Sequence, residues 1–492
     1  MNNVRFVGMV RLVALASALV LGRVLQAQDA NQVEQLKLQL EQMQSNFDRV
    51  MREQQAQIEG LKKQLAAIQP AASNSAPVAA APNAPPAESP PPAATGDVTK
   101  PWSPTDPIRI GKGSAYVDLG LVGTFAAGGS TATDIEGGTQ LGGHDPNQRG
   151  FTVQGVEANF QGAVDPYFRG NANLAFALDS HGESSVELEE AWLETISLPA
   201  NLQVRAGQFL TDFGRLNTQH PHTWAFVDTP LVNGRFLGPD GLRNPGARLS
   251  WLAPTPFYSE LFLAVQNSQG ETAYDFRNDN GDQPFLGRPV TQGSVQSFSD
   301  LLFAPRYAVS FDLSDTQTLL AGVSAAFGPN GSGPDTDTQL YGVDLYWKWK
   351  PTNAHAGFPF VSWQAEAMLR RYTAGAFTGD VGDFEDVSLP RETLTDWGFY
   401  SQLLWGFHKG WVAALRGDYV ARDGQAAYER LLGDDPQRLP RWRISPNLTW
   451  YPSEFSKIRL QYNYDDRADI GEDHSVWLQF EFLLGAHAAH KF

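Results

Sequence analysis

Hydrophobic side chains recur at every second position in many short runs between Trp102 and Phe492. The run 457–466, KIRLQYNYDD, places its apolar and aromatic residues on one face and its polar residues on the other. The runs 338–350 and 358–372 follow the same rule. Successive side chains of a strand point to opposite faces, so each run predicts a strand with one apolar and one polar face.

The chain contains about sixteen runs of this kind. They lie near residues 114–125, 151–163, 167–179, 184–196, 200–209, 245–252, 257–266, 303–313, 317–327, 338–350, 358–372, 394–406, 411–421, 440–451, 457–466 and 474–484. The connections after even-numbered runs are short, as in VDP, SLP and SDT, whereas most of the others are long. Short turns at one end and long loops at the other are typical of outer-membrane barrels. The pattern therefore predicts an all-β fold over residues 101–492, an antiparallel transmembrane β-barrel of about 16 strands.

A soluble β-sandwich is the alternative, because its strands would also alternate between apolar and polar faces. Three features favour the membrane barrel, whose apolar face meets lipid. Short and long connections alternate along the chain, the number of strands is even, and an export signal precedes the barrel. The last run, VWLQFEFLL, alternates as well, and the chain ends in Phe492. An amphipathic final strand with a terminal aromatic residue resembles the signal that barrel-assembly machinery reads, so this machinery is an expected partner.

Residues 1–27 have the pattern of a signal peptide. Arg5 and Arg11 precede an apolar run, and small residues follow up to a plausible cleavage site after Ala27. A retained anchor helix is the alternative. An exported chain with a barrel pattern is expected in the outer membrane of a Gram-negative-type bacterium.

Residues 28–69 carry apolar side chains at alternating steps of three and four, from Val33 to Ile68, with one stutter. This pattern predicts a self-associating coiled coil in the periplasm, although an isolated helix docked on the main domain would show the same stripe. Residues 70–100 are rich in Pro and Ala and predict an extended linker.

Composition and motifs exclude several classes of function. The net charge is −17 and no basic block is present, so nucleic acid is not an expected partner. The chain has no cysteine, which excludes disulfides and thiolate metal sites. The glycine-rich segment 328–333 joins two strands and opens no helix, so it does not predict a phosphate loop. We expect no catalytic residues and no cofactor, and the chain is not predicted to be an enzyme.

Three motifs resemble known families. A coiled coil and linker ahead of a barrel of about sixteen strands, together with LQVRAGQFLTDFGR at 202–215, resemble the phosphate-selective porin O and P family. TWYPSEFSKIRLQYNYD at 449–465 and the ending GAHAAHKF are similar to barrels labelled zinc-regulated TonB-dependent outer-membrane receptors. The phosphate porins owe their selectivity to an excess of basic residues in the pore, whereas this chain is acidic overall.

Residues 210–244 form the third long loop by the strand count, and the resemblance implies that it folds inward and narrows the channel. Its glycines and prolines suit a folded, kinked segment. The predicted constriction comprises two wall residues and five loop residues: Arg205, Arg248, Arg215, Arg235, Arg243, His220 and His222.

Metal binding stays open as a second role for the histidines. An extended His-X-His puts both rings on one side of the chain, and neutral imidazole suits Zn²⁺. His487 and His490 form a second small group near the C-terminus. The sequence shows no obvious third ligand for such a metal. The adjacent Glu189 and Glu190 indicate a β-bulge, because the alternation of apolar and polar side chains is interrupted there.

The expected function is passive diffusion of small polar solutes through an outer-membrane porin, with a weak preference for anions such as phosphate or carboxylates. A homotrimer in outer-membrane lipid is expected from the resemblance and the coiled coil. The alternatives are a zinc-linked or TonB-dependent receptor and a structural tether of the cell envelope.

Overall fold

A computed structural model describes residues 108–113, 115–163, 165–278, 283–291 and 293–485. The predicted signal peptide, coiled coil and linker lie outside the described residues. So do His487, His490 and Phe492, and the predictions that concern them stay predictions.

The described residues form nineteen strands and two short α-helices. The strands are β1 Ile108–Lys112, β2 Ala115–Ser130, β3 Gly150–Ala163, β4 Phe168–Leu178, β5 Ser184–Thr195, β6 Leu202–Leu210, β7 Arg243–Leu252, β8 Tyr258–Asn267, β9 Leu301–Ser314, β10 Gln317–Pro329, β11 Asp337–Trp349, β12 Phe360–Ala374, β13 Phe377–Val381, β14 Phe384–Leu389, β15 Glu392–His408, β16 Trp411–Arg422, β17 Arg441–Ser453, β18 Ser456–Arg467 and β19 Gly471–Gly485. The helices are α1 Leu231–Leu237 and α2 Ala427–Leu432. Among the described residues, neither helix has the length or apolarity needed to cross a bilayer.

Within the described residues, sixteen strands close into one antiparallel barrel, and the predicted fold is confirmed. These strands are β2 to β12 and β15 to β19, and closure comes from the pairing of β19 with β2. β1 pairs with the first residues of β2, whereas β13 and β14 form a separate hairpin inside the predicted loop 373–393. The predicted strands match the observed ones, with ends that differ by a few residues.

The outer face of the barrel is apolar and the inner face is polar. On β11, Val343 is 54% exposed while its neighbour Asp344 is buried, and on β15, Leu403 is 48% exposed beside the buried Gln402. A soluble protein rarely exposes a continuous apolar surface of this extent. Such an outer face suits lipid, because hydrocarbon does not require polar partners on the side chains that meet it.

Aromatic side chains pair across strands toward both ends of the barrel. Near the short-turn end, the rings of Trp411 and Trp450 lie 5.9 Å apart. Toward the long-loop end, Trp397 lies 5.2 Å from the ring of Tyr419. Aromatic belts at both edges of an apolar band are typical of barrels that span a bilayer.

The largest apolar core lies inside the barrel. It is built mainly from side chains of the connection between β6 and β7 and from the wall strands around it. Its members include Phe209, Phe213, Leu231, Val232, Phe236, Leu242, Ala326, Leu340, Met368 and Val420. The segment 211–242, named the inner loop below, is therefore packed inside the barrel.

Candidate functional site: the inner loop

Hydrogen bonds hold the two ends of the inner loop together. This pair of ends, with Thr211, Asn217 and Leu242, is named the neck below. Asn217 donates from Nδ2 to the carbonyls of Thr211 and Leu242, at 2.8 and 2.9 Å, and accepts from the Leu242 amide at 2.9 Å. Thr211 also donates to Gln266 of β8 at 2.7 Å. One amide side chain thus holds both ends of the loop together, so the residues between them project into the lumen as a unit.

Helix α1 is the most deeply buried part of the loop. Every residue from Leu231 to Leu237 is buried, and the Leu231 amide donates to Asp418 of β16 at 3.1 Å. Sequence reasoning missed this helix, because Gly234 inside it and Pro230 before it indicate an irregular segment. Burial of the apolar side chains stabilises it despite the glycine, whose low helix propensity costs about 1 kcal/mol.

Two glycines of the wall make room for the loop. A Cβ on Gly342 would lie 2.9 Å from the ring of Phe213, and one on Gly398 would lie 3.1 Å from Val232. A larger side chain at Gly342 would push the loop away from the wall, whereas one at Gly398 would first meet Val420 and the Tyr419 carbonyl of the next strand, at 2.6 and 2.8 Å. The wall strands are therefore shaped to receive the loop at this level.

The tip of the loop is anchored to the far wall by Asp228. Its carboxylate accepts from Arg416 at 2.7 Å, from Arg443 at 3.0 Å and from Gln461 and Asn463, both at 2.8 Å. Burial alone would raise the pKa of Asp228, but the two guanidinium charges outweigh it and hold that pKa below its usual value. The loop therefore crosses the lumen from β6 and β7 to β16, β17 and β18.

Further contacts fix the loop between these two points. The amides of Arg215 and Leu216 donate to Glu366 of β12, at 3.2 and 2.8 Å. Lys457 of β18 donates to the carbonyl of His222 at 2.5 Å, and Arg459 donates to that of Trp224 at 2.9 Å. The loop narrows the lumen by direct bonding to the wall.

Two of the predicted constriction residues lie side by side on the wall. Arg205 of β6 and Arg248 of β7 are paired across the strands, and both bind Glu194, each at 2.7 Å. Arg248 also binds Asp212 at 3.2 Å. The guanidinium of Arg205 stacks on the ring of Trp192 at 4.0 Å. Arg169 binds Glu194 as well, so three guanidinium groups share the two carboxylates of Glu194 and Asp212.

The predicted loop arginines lie in three different places. Arg243 bonds to Glu187 and lies 3.8 Å from Glu189. Arg235 is buried on the long-loop side of α1 and donates to the carbonyl of Leu439 at 3.0 Å. Arg215 lies on the other side, toward the short-turn end. The five predicted arginines therefore do not form one ring.

Arg215 and Lys348 are partly exposed, and neither forms a salt bridge with any residue that the structure describes. The Arg215 guanidinium stacks on Tyr346 at 4.0 Å and donates to Gln364 at 3.2 Å. Lys348 lies 5.4 Å from the ring of Phe360, and the like charges of Lys350 and Arg215 both act on its ammonium group. This pair gives the lumen a local positive charge.

His220 and His222 belong to a group of buried side chains that connects the loop to the wall. Their rings stack at 5.8 Å. The group, named the histidine–glutamate cluster, contains His144, His220, His222, Glu157, Glu189 and Glu190. Sequence analysis placed two of these residues at a constriction and assigned no role to His144.

A β-bulge brings two consecutive glutamates into the cluster. On β4, Asn173 pairs with Glu190 and Leu174 pairs with Leu188, so Glu189 is the extra residue of β5. Both glutamates are buried in consequence. The predicted bulge is confirmed. In the sequence, the interrupted alternation of apolar and polar residues at Glu189 and Glu190 was the available signal that pointed to this site.

The histidines of the cluster meet carboxylates directly. His144 Nε2 lies 3.1 Å from Glu189, and its Nδ1 lies 3.0 Å from the Gln154 carbonyl. Burial alone would lower the pKa of His144, but the hydrogen bond and the charge of Glu189 raise it to about 10. His220 lies 3.1 Å from Glu190, and its pKa is raised well above the usual value against the effect of burial.

Cavities open on the long-loop side of the inner loop. One has a volume of about 670 Å³ and is bounded by Arg235, Arg441, Arg467, Asp134 and Asp435, among others. A second of about 500 Å³ is bounded by Arg277, Asp300, Asn330 and Asp337, among others. Both have mixed linings to which charged, polar and apolar side chains contribute.

Comparisons with known proteins give one relative by sequence and a similar solved structure. No family model matches the chain. An uncharacterized protein of Aquifex aeolicus (strain VF5) is 31% identical over 378 residues, which cover 71% of this chain and 73% of that protein. The chain belongs to the family of this Aquifex protein.

A solved structure shares the barrel fold of this chain. The outer membrane channel DcaP of Acinetobacter baumannii has a TM-score of 0.51 and 14% sequence identity, and the match covers 76% of this chain and 99% of DcaP. At 14% sequence identity, this structural similarity supports the barrel fold alone. The resemblance to the phosphate-selective porins stays a prediction.

Proposed function

We propose that the chain is an outer-membrane channel for the passive diffusion of small polar solutes, narrowed by the inner loop. The observation that carries this proposal is a closed barrel with an apolar outer face and a lumen lined by ionised and polar side chains. A sixteen-stranded barrel of this kind is wide enough to hold an aqueous channel. The long loops would face outward and the short turns the periplasm of a Gram-negative-type bacterium.

The lumen suits small solutes because the inner loop fills much of its width. Rows of opposite charge, such as Arg306 with Asp344 at 2.6 Å and Arg370 with Asp396 at 2.9 Å, line the wall beside it. Paired charges of this kind create a field across the lumen that orients polar solutes.

We further propose a weak preference for anions such as phosphate or carboxylates. Arg205, Arg243 and Arg248 have carboxylate partners, so the unmatched pair Arg215 and Lys348 supports this preference best. Low-dielectric walls focus the field of such a pair, whereas salt screens charges on the outer surface within about 8–10 Å.

The selectivity test is the zero-current potential of protein reconstituted in planar bilayers under a salt gradient. Wild type should show stepwise conductance with a potential of the sign for anion preference. The double variant Arg215→Gln and Lys348→Gln should move the potential toward zero, and the matched surface change Lys409→Gln should leave it unchanged. Cation preference in wild type, or no change in the double variant, would contradict the anion proposal.

A TonB-dependent receptor receives less support from the barrel. Gated outer-membrane transporters use about 22 strands around a plug. Here sixteen barrel strands are described, and the lumen is narrowed by a loop of the barrel itself. We propose that the channel has no catalytic site. We also propose that it forms a homotrimer in outer-membrane lipid. Barrel-assembly machinery would insert it by recognising the C-terminal signal that ends in Phe492.

A further inference from the structure

We infer that Glu157, Glu189 and His220 form a binding site for a divalent transition-metal ion with the ligand preference of Zn²⁺. Such an ion would join the inner loop to the barrel wall. This proposal goes beyond solute diffusion and does not depend on it.

The donor atoms converge on one point. His220 Nδ1 lies 3.8 Å from Glu157 Oε2 and 3.4 Å from Glu189 Oε2, and all three atoms lie within 4.8 Å of one another. Ligand distances of 2.0–2.2 Å around Zn²⁺ put neighbouring donor atoms roughly 3–3.5 Å apart. The spacing of these donors therefore approaches that of a coordination shell before any side chain moves.

Asn173 of β4 supplies a fourth group at the same point. Its Nδ2 contacts Glu157 Oε2 at 3.4 Å, bonds to Glu189 Oε2 and lies 3.3 Å from His220 Nδ1. The other end of the amide, Oδ1, is fully buried and has no hydrogen-bond partner among the described residues. A rotation of the amide by 180° turns this oxygen toward the three donors, where it can complete a four-ligand set.

The surroundings orient the histidine as a metal site requires. His220 Nε2 lies 3.1 Å from Glu190 Oε2, which leaves Nδ1 as the nitrogen that faces the ion. Glu190 itself accepts from the Leu210 amide and from Trp192, both at 3.2 Å. A carboxylate that holds the outer nitrogen of a histidine ligand is the usual arrangement around protein-bound zinc.

The chemistry of the donors selects the kind of ion, although other basic groups also face the carboxylates: His222 lies 3.1 Å from Glu157, and His144 lies 3.1 Å from Glu189. Glu157 and Glu189 are buried and lie against the same nitrogen of His220. A divalent ion bound here would take the place of a proton on Nδ1 of His220 and would be bound by the neutral imidazole and both carboxylates. Nitrogen and carboxylate donors without sulfur suit Zn²⁺ better than Ca²⁺ or Mg²⁺, which prefer oxygen alone.

The ligands come from rigid elements on one side and from the loop on the other. Glu157, Asn173 and Glu189 stand on the adjacent strands β3, β4 and β5, whereas His220 belongs to the inner loop. A cavity of about 40 Å³ borders Glu189 and His220 and leads to Asp240, which gives space beside the site. Metal binding would thus fix the loop to the wall that lies next to its neck.

The test is the zinc content of purified full-length protein in detergent, with His487→Gln and His490→Gln in the background to remove the C-terminal histidines. After treatment with a chelator and addition of Zn²⁺, we expect one zinc per chain to survive gel filtration, and a higher midpoint of thermal unfolding. Ca²⁺ and Mg²⁺ should not reproduce the thermal shift. Absence of retained zinc in the folded protein would overturn the proposal.

Single substitutions locate the site. His220→Gln and Glu157→Gln should each weaken zinc binding at least tenfold, and Glu190→Gln, which acts through His220, roughly 10–100-fold. His181→Gln is the matched control, because the His181 side chain is 84% exposed and lies outside the cluster. Zinc affinity equal to wild type in a folded His220→Gln variant would contradict the assignment.

X-ray absorption on the zinc-loaded parent protein keeps the proposal testable if a variant fails to fold. The spectrum should show only nitrogen and oxygen neighbours at about 2.0–2.2 Å and the multiple scattering of one imidazole. A shell without imidazole would overturn the assignment. None of these readouts uses conductance, so failure of the metal site and failure of the channel are separate results.

Discussion

Arg416 Nη2 lies 2.7 Å from Oδ1 of Asp228, and this ion pair connects the inner loop to a wall strand remote from the strands that carry the loop. Arg443 of the next strand binds the other oxygen of the same carboxylate at 3.0 Å. All three groups are buried, so water does not screen them. This carboxylate holds the tip of the loop against the far wall together with the bonds from Lys457 and Arg459 to the loop backbone.

The variant Asp228→Asn tests this anchor. Asparagine keeps the shape but removes the charge, so Arg416 and Arg443 each lose one carboxylate and keep Asp418 and Asp465, respectively. The cost should therefore stay below the roughly 3–5 kcal/mol of leaving a buried charge unpaired. We expect the loop to loosen while the barrel stays folded, so that single-channel conductance rises and proteases gain access to the loop. Asp315→Asn, in an exposed turn, is the control; equal conductance and equal cleavage in both variants would refute the anchor.

The anchor should also respond to acid. The pKa of Asp228 is lowered in the folded protein, because the charges of Arg416 and Arg443 outweigh burial and the nearby Asp145. Its contribution is therefore present at neutral pH and is lost only as pH falls below about 3.9 toward the lowered value. Conductance measured from pH 7 to pH 3 should rise at the acid end in wild type. Asp228→Asn should lack this rise, and a wild-type rise centred near pH 6 would point to another group.

The apolar outer face predicts a depth-dependent cost of charge. Val343 lies at the middle of β11, where an arginine should destabilise the barrel by about 2–4 kcal/mol. Leu313, at the short-turn end of β9, should tolerate the same change at about 0–1 kcal/mol. Denaturant unfolding in lipid vesicles measures both. Equal costs at the two positions would mean that the outer face does not span a bilayer.

The predicted coiled coil, residues 28–69, should hold the barrels together. Native mass measurement of the full chain in detergent is expected to give three copies. Deletion of residues 28–100 should weaken the assembly and leave a folded barrel, because the barrel strands begin beyond this segment. A monomeric full-length protein would contradict the predicted trimer. If the trimer is unaffected by the deletion, its contacts must come from the outer surface of the barrel and not from the coiled coil.

The alternation of side chains was sufficient to predict the barrel, because each strand places one face in lipid and the other in the lumen. It did not predict α1, because a helix of seven residues around Gly234 is stabilised by its surroundings and not by its own propensities. The hairpin β13–β14 was missed for a similar reason, since it lies in a segment assigned as loop.

The candidate site was only partly predictable. Strand parity indicates that Arg205 and Arg248 face the lumen, but it cannot show that Glu194 binds both. The slip at Glu189 indicates a bulge, whereas the meeting of that bulge with His220 depends on how the loop folds back across the barrel. Contacts between a loop and three strands are tertiary information that a local pattern does not contain.

The most direct test of the account is the single-channel conductance of wild type beside a variant whose residues 218–238 are replaced by a short Gly-Ser linker. The neck residues Thr211, Asn217 and Leu242 stay in place, so the barrel should still close. A channel narrowed by the inner loop should give small stepwise openings in wild type and clearly larger ones in the variant. Folded barrels that show no steps in either form, or the same conductance in both, would contradict a channel narrowed by the inner loop.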